Sequence, residues 1–277
     1  MMNPIKIMVN GAPGNMAAGL IRHAGMDRRF LLIPQSLTGP EIADREYLSD
    51  AGRISLVRPE QREEAIREIQ KREGDFISID FTHPSAVNDN AAFYCSHGLP
   101  FVMGTTGGDR DLLAETVKSS KNSAVIAPNM AKQIVGFQAM MEYAAEHFPG
   151  LFEGYSLEIR ESHQKGKADT SGTAKAMVTY FNKLGCDFAA ERIVKERDPD
   201  VQTKEWGIPQ EYLKGHAWHT YTLLSDDGTV KFSFTHNVNG RDIYVRGTLD
   251  AVVFLAEKLR QGIKGKIFSM IDVLKKA

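Results

Sequence analysis

Residues 161–174 read ESHQKGKADTSGTA. The imidazole of His163 and the ammonium groups of Lys165 and Lys167 are followed at once by Ser171, Gly172 and Thr173. Those small residues lead into AKAMVTYFNKLG, where Ala174, Met177, Val178, Phe181 and Leu184 recur at helical spacing. A helix that opens here turns unpaired backbone N–H groups, and the positive end of its dipole, toward whatever lies upstream. Small hydroxyl residues leave that end accessible. The chemistry this pattern supports is capture of a carboxylate or phosphate beside a proton donor. Lys165 is expected to be a solvated charge, because Gly166 interrupts any strand that would align it with His163 and Lys167. His216 and His219, in HAWH, fall on opposite faces of a strand, so no metal site is expected; His236 is expected to be structural or part of a pocket wall.

A second group of residues has the spacing of a phosphate-binding turn. Gly11 and Gly14, with the small Ala17 and Ala18, fall between the apolar run 5–9 and a helical segment. The pattern is G-x-x-G rather than G-x-G-x-x-G, which alone also fits a plain strand-to-helix turn. Its place decides the reading: it is the first βα turn of an alternating chain, where a pyrophosphate meets helix N–H groups. Three further strand ends fall on the same carboxyl edge: Asp80, Phe81 and Thr82; Gly104, Thr105 and Thr106; Ala127, Pro128, Asn129 and Met130. The expected cofactor is NADPH or NADH. The second strand offers Gln35, Ser36 and Thr38 but no carboxylate to hold a ribose diol, so a 2′-phosphate is not repelled and NADPH is favoured, although no arginine stands in that segment.

The elements that must position these groups change character along the chain. Apolar strands at 5–9, 30–37, 76–82, 99–107 and 123–130 alternate with helices near 59–74, 84–97 and 109–121, which implies a parallel sheet covered on both faces. After about residue 150, segment 155–164 alternates polar and apolar, and 216–238 forms a hairpin turning at Asp226, Asp227 and Gly228. A helix at 248–262 follows. The expected fold is therefore α/β, an N-terminal Rossmann-like doubly wound parallel sheet with an inserted α+β domain containing an open mixed sheet. The expected division is 1–131 plus 242–277 for the dinucleotide domain and 132–241 for substrate binding and oligomerisation.

Composition removes several function classes. With 277 residues, 25% charged, and a formal net charge of −1, the chain has no global attraction for nucleic acid or an anionic membrane. No stretch approaches about 18 continuous apolar residues, and the first residues lack the pattern of a secretory signal. Cys95 and Cys186 form neither a disulfide framework nor metal-ligand spacing. A reducing, cytoplasmic location is expected.

Taken together, VNGAPGNM, DFTHP, FVMGTTG, IAPNM and above all ESHQKGKADTSGTA resemble the dihydrodipicolinate reductase family, with HNVNGR (236–241) as a weaker likeness. Common bacterial members read E-x-H-H-x-x-K-x-D-x-P-S-G-T-A. This chain has Gln164 for the second histidine and lacks the proline before Ser171, which is more similar to the plant-type branch. The resemblance implies NAD(P)H-dependent reduction of a cyclic dicarboxylate, 4-hydroxy-tetrahydrodipicolinate, in lysine and diaminopimelate synthesis. His163 is then the acid and Lys167, with Ser171, Gly172 and Thr173, the carboxylate holder, while Gln164 and Arg241 complete the anion pocket. Asn15 and Met16 belong to the family's nucleotide turn. A donor near neutral pKa suits the proton transfer, and closure around the substrate is expected to exclude water. A homo-oligomer, dimer or tetramer, is expected to cover the open sheet. Two alternatives are a related dehydrogenase acting on another small acid and a non-catalytic dinucleotide sensor; the first has no need of KADTSGTA, the second none of His163 and Lys167.

Overall fold

The computed structural model describes residues 3–276. In chain order the elements are β1 (Ile5–Asn10), α1 (Asn15–Met26), β2 (Phe30–Leu32), β3 (Gln35–Leu37), β4 (Glu46–Ser49), β5 (Gly52–Val57), α2 (Arg62–Glu73) and β6 (Ile77–Asp80). There follow α3 (Val87–Ser96), β7 (Phe101–Met103), α4 (Arg110–Ser119), β8 (Ala124–Ile126), α5 (Lys132–His147), β9 (Tyr155–His163), α6 (Gly172–Lys183) and β10 (Val194–Glu196). The chain ends with α7 (Pro199–Lys204), β11 (His216–Ser225), β12 (Lys231–Asn239), α8 (Asp242–Arg260), β13 (Ile267–Phe268) and α9 (Met270–Lys275). It divides into two units, one of residues 1–132 and 244–277, the other of residues 133–243.

In the first unit six parallel strands lie in the order β13-β8-β7-β6-β1-β2. The strands are apolar throughout because both faces are covered. Met8, Phe101 and Met103 pack with Ile66 and Ile69 of α2, Ala91 and Tyr94 of α3, and Leu113 and Val117 of α4. Ile7, Val9, Val102 and Val125, of opposite parity, are equally buried. Gly247 in α8 is required by proximity: a Cβ there would collide with the carbonyl oxygen of Met130, so this glycine lets the helix lie against the end of the β8 segment.

Two features depart from the sequence reading. The run FLLIPQSL is not one strand: Pro34 has no N–H to continue a ladder, so β2 stays with β1 while β3 leaves to pair with β5. The small sheet β3-β5-β4 that results was not foreseen, although ISLV alternates beside the tight turn at Gly52, whose φ is +112°.

The second unit is a four-stranded sheet, β10-β9-β11-β12. β11 pairs antiparallel with β9 and β12 as the hairpin implies, but β10 runs parallel to β9, so the sheet is mixed. One face packs on helices α5 and α6: Leu157, Ile159, Tyr221 and Leu223 meet Met141, Ala145, Met177, Val178 and Phe181. Each large side chain buried this way contributes about 1.5–3 kcal/mol relative to exposure. That packing fixes the head of α6, and with it Ser171 and Gly172, against β9. None of the described helices is long and apolar enough to cross a membrane.

Candidate active site

The glycine turn of the first unit is built from both sides. Gly11 has φ +102° and so close an approach to the backbone of Phe81 that no Cβ fits. Asn10 Oδ1 accepts the Leu37 N–H at 2.9 Å; Ser36 Oγ accepts the Ala12 N–H at 3.1 Å, and Thr38 Oγ1 donates to Ala12 O at 2.9 Å. The hydroxyls of Ser36 in β3 and of Thr38 just after it are therefore occupied in holding the turn. Helix α1 opens at Asn15 and Met16 with Gly14 as N-cap and no side chain on its first amides, which leaves them for an anion.

A cleft of about 810 Å³ adjoins this turn, lined by Gly11, Gly14, Phe81 and Thr82, and also by Glu41 and Arg62. The last two are an acid and an arginine, neither of which the second-strand segment itself supplies. Both arrive from outside that segment, Glu41 from the loop after β3 and Arg62 from the first residue of α2.

Asp80 does not line that cleft. It is fully buried, and its carboxylate accepts from Thr82 N–H and Oγ1, Asn90 Nδ2, Tyr94 O–H and Thr105 Oγ1, at 2.5 to 3.2 Å. With its carboxylate saturated in this way, it braces Thr82 and Thr105 instead of offering a ligand contact. Gly104 and Thr105 at the end of β7, and Ala127 and Met130 after β8, are buried as well, whereas Thr106 and Pro128 are exposed; Asn129 accepts the Ala131 N–H at 2.9 Å.

In the second unit β9 ends at His163, and the next element begins at Gly172. Ser171 caps α6 by accepting the Thr173 N–H at 3.2 Å, and its own N–H goes to Glu161 Oε2 at 3.0 Å. Ser171 is thus turned inward as a fastener. Gly172 has open space about it, and Thr173 is half-buried, so the head of the helix can be approached there. Lys167 Nζ lies 2.8 Å from Asp169 Oδ1, a mostly exposed acid, so the ammonium can be transferred to another carboxylate at little cost. Gln164 is half-buried and Lys165 exposed. Arg241 lies beside Gly215, at the end of the hairpin where His216 pairs with Asn239. That is the same end of the sheet as His163, whose neighbour across the ladder is Ala217.

His163 is 6% exposed, its Nε2 has no hydrogen-bond partner, and its backbone carbonyl accepts from Gln202 Nε2 at 2.7 Å. Burial first, then the charges of Arg197 and Lys167, push the imidazole down to about 4. The expected near-neutral donor is therefore corrected: without ligand His163 is an uncharged imidazole. The part of the depression that comes from Arg197 and Lys167 is relieved by whatever neutralises them, so an incoming dianion favours the protonated form.

The sequence reading missed three residues here, Glu161, Arg197 and His219. His219 does oppose His216 along its strand, as alternation requires, but it meets Glu161 across the ladder. Ligand atoms of Glu161, His163 and His219 all lie within 4.8 Å of one another. The charge balance nonetheless suits an anion. Glu161 already binds Arg197 through Oε1 and Ser171 through Oε2, and Arg197 and Lys167 add positive potential at both imidazoles.

A parallel sheet that turns uncapped helix amides to a cleft, in one chain with a unit that gathers an imidazole and cations at a helix head, defines a two-unit, dinucleotide-dependent reductase. Residues 5–130 match the family model described as dihydrodipicolinate reductase, N-terminus, and residues 134–274 the one described as dihydrodipicolinate reductase, C-terminus. The chain belongs to the dihydrodipicolinate reductase family, whose members bind NAD(P)H.

The chain is 47% identical over 273 residues to 4-hydroxy-tetrahydrodipicolinate reductase 2, chloroplastic, of Arabidopsis thaliana, covering 99% of this chain and 78% of that one. It is 45% identical over 269 residues to a probable 4-hydroxy-tetrahydrodipicolinate reductase 2, chloroplastic, of Oryza sativa subsp. japonica, covering 97% and 82%. Among solved structures, the dipicolinate-bound dihydrodipicolinate reductase from Paenisporosarcina sp. TG-14 superposes with a TM-score of 0.65 at 17% identity, covering 96% of this chain and 97% of that one, which shows the shared fold. The expected cytoplasmic location is overturned, because the matched plant relatives from both species are named chloroplastic.

Proposed function

We propose that the chain reduces 4-hydroxy-tetrahydrodipicolinate with hydride from NAD(P)H in lysine and diaminopimelate synthesis. One substrate, one NAD(P)H and one proton give tetrahydrodipicolinate, NAD(P)⁺ and water. The observation that carries this reading is the uncharged His163, its Nε2 without a hydrogen-bond partner, beside Lys167 and the open Gly172 at the head of α6. A ring carboxylate accepts from the Gly172 N–H at the head of the helix, from the Thr173 hydroxyl and from Lys167. Gln164 and Arg241 serve the second carboxylate, and Ser171 holds the turn. The dianion raises the affinity of His163 for a proton, which the imidazole delivers as hydride addition loads electron density onto the ring nitrogen and the hydroxyl leaves as water.

The cofactor lies along Gly11, Gly14, Asn15 and Met16, with Phe81, Thr82, Gly104, Thr105, Thr106 and the 127–130 segment (Ala127, Pro128, Asn129, Met130) along the same carboxyl edge. Both dinucleotides are accepted, Glu41 holding the ribose hydroxyls of NADH and Arg62 the 2′-phosphate of NADPH, with NADPH favoured. A homo-oligomer accompanies this reading, since Ser156, Glu158, Ser233 and Thr235 stand exposed on the sheet face that α5 and α6 leave uncovered.

Freshly generated 4-hydroxy-tetrahydrodipicolinate mixed with the purified chain and NADPH tests the proposal. Substrate-dependent loss of the reduced-nicotinamide absorbance is expected, faster with NADPH than with NADH. No loss with either coenzyme contradicts the activity, and faster loss with NADH contradicts only the preference.

A further inference from the structure

Arg197 follows β10, which runs parallel to β9 with Glu196 opposite Ser162. From there its guanidinium donates through Nε to Lys167 O at 2.8 Å, through Nη1 to Glu196 O at 2.8 Å and through Nη2 to Glu161 Oε1 at 2.5 Å. Contacts of 3.5 Å reach Glu161 O and Asp169 O. Glu161 is fully buried, and its second oxygen accepts the Ser171 N–H. One ion pair therefore joins the strand that ends in His163, the loop that carries Lys167 and the residue that caps α6.

We infer that Arg197 and Glu161 form the positioning clamp of the substrate loop, holding Lys167 and the Ser171 cap in register with His163 and supplying the positive field that selects a dianion. This inference rests on reading the pocket as a dicarboxylate site. Residues 164–170 form no regular element, and Lys165 and Gly166 are exposed, so that loop has little packing of its own. Its internal bonds are the Lys167 N–H to Gln164 O turn at 2.9 Å and the Lys167–Asp169 pair. The remaining anchors run through the guanidinium or the carboxylate it faces. A lysine cannot replace this arginine, because one ammonium cannot serve Glu161, Lys167 and Glu196 with the planar geometry of the guanidinium fork.

The clamp also sets the electrostatics of His163. The groups that face that imidazole are Glu161 on its own strand, Lys167 in the loop, Arg197 after β10, and His216 and His219 on β11, with His236 of β12 stacked on His219 at 4.6 Å. Arg197 and Lys167 are the fixed positive charges among them, and Glu161 is the negative one.

Arg197→Lys and Arg197→Met in the full chain separate position from charge. Loss of the clamp is expected to raise the substrate KM about tenfold or more in both, as for loss of a charge-assisted hydrogen bond. NADPH affinity stays within about twofold. In Arg197→Met the pH limb of kcat/KM that reports His163 moves to higher pH, because a positive neighbour is gone; in Arg197→Lys, which keeps the charge, it stays. Should Arg197→Met not fold, the KM of Arg197→Lys decides alone. An unchanged substrate KM in Arg197→Lys, or an unmoved limb in a folded Arg197→Met, overturns the clamp. A wild-type chain without turnover overturns the substrate reading instead. The clamp is then judged by calorimetric binding of pyridine-2,6-dicarboxylate, weakened in Arg197→Lys if it is right and equal to wild type if it is wrong.

Discussion

His163→Ala lowers kcat by about 10²–10⁴-fold, the usual contribution of a positioned proton donor, and leaves NADPH affinity unchanged. The imidazole is buried, and its Nε2 makes no hydrogen bond within the protein, so removing it breaks no described hydrogen bond of that atom. The pH profile separates this role from a packing role. In the free protein the imidazole is held down to about 4, so the protonated form becomes scarce as pH rises above that value, and kcat/KM falls with increasing pH. With substrate bound, two added negative charges oppose Arg197 and Lys167, so the corresponding limb of kcat lies at higher pH. Steady-state profiles of wild type and His163→Ala check this. A mutant that keeps wild-type turnover, or a kcat limb below that of kcat/KM, contradicts the assignment.

Asp80→Ala destabilises the first unit by about 3–5 kcal/mol, because each buried donor left without an acceptor costs about 1–3 kcal/mol and several are orphaned together. Thr82, Asn90, Tyr94 and Thr105 all donate to this carboxylate. Thr82 and Thr105 belong to the strand ends along which the dinucleotide is expected to lie, so NADPH affinity falls as well. Burial, then the Asp80 charge, hold the Tyr94 hydroxyl well above its ordinary pKa, as expected for a phenol that must remain a donor. Urea denaturation followed by NADPH titration measures both effects. An unchanged midpoint would mean that the donors find other acceptors and that the network is not a brace.

The parts of this molecule that were readable in the sequence are those in which adjacent residues act together. The stretch from His163 to Thr173 announces a helix head beside an imidazole, and its first turn forms where Ser171 and Gly172 require. The alternation of apolar strands with helices was enough to assign a parallel sheet. What could not be read depends on strand register. Arg197 meets Glu161 because β10 lies parallel to β9, and His219 meets it because β11 lies antiparallel with that pairing; neither offset is written in local composition. Asp80 illustrates a different failure. Its place at a strand end was legible, but whether its carboxylate faces a ligand or a ring of donors depends on Asn90 and Tyr94, one helix further on. Pro34 carried a usable signal, since a residue without an N–H inside a supposed inner strand argues for the break that occurs.

The dianion pocket at the head of α6 is the claim on which the rest depends, and a crystal structure of the chain with NADPH and pyridine-2,6-dicarboxylate tests it most directly. The account predicts one carboxylate on the Gly172 amide beside the Thr173 side chain, with Lys167 Nζ turned from Asp169 toward it, and His163 Nε2 within hydrogen-bond reach of the ring. A ligand bound elsewhere, with Lys167 still on Asp169 and the helix head unoccupied, contradicts it.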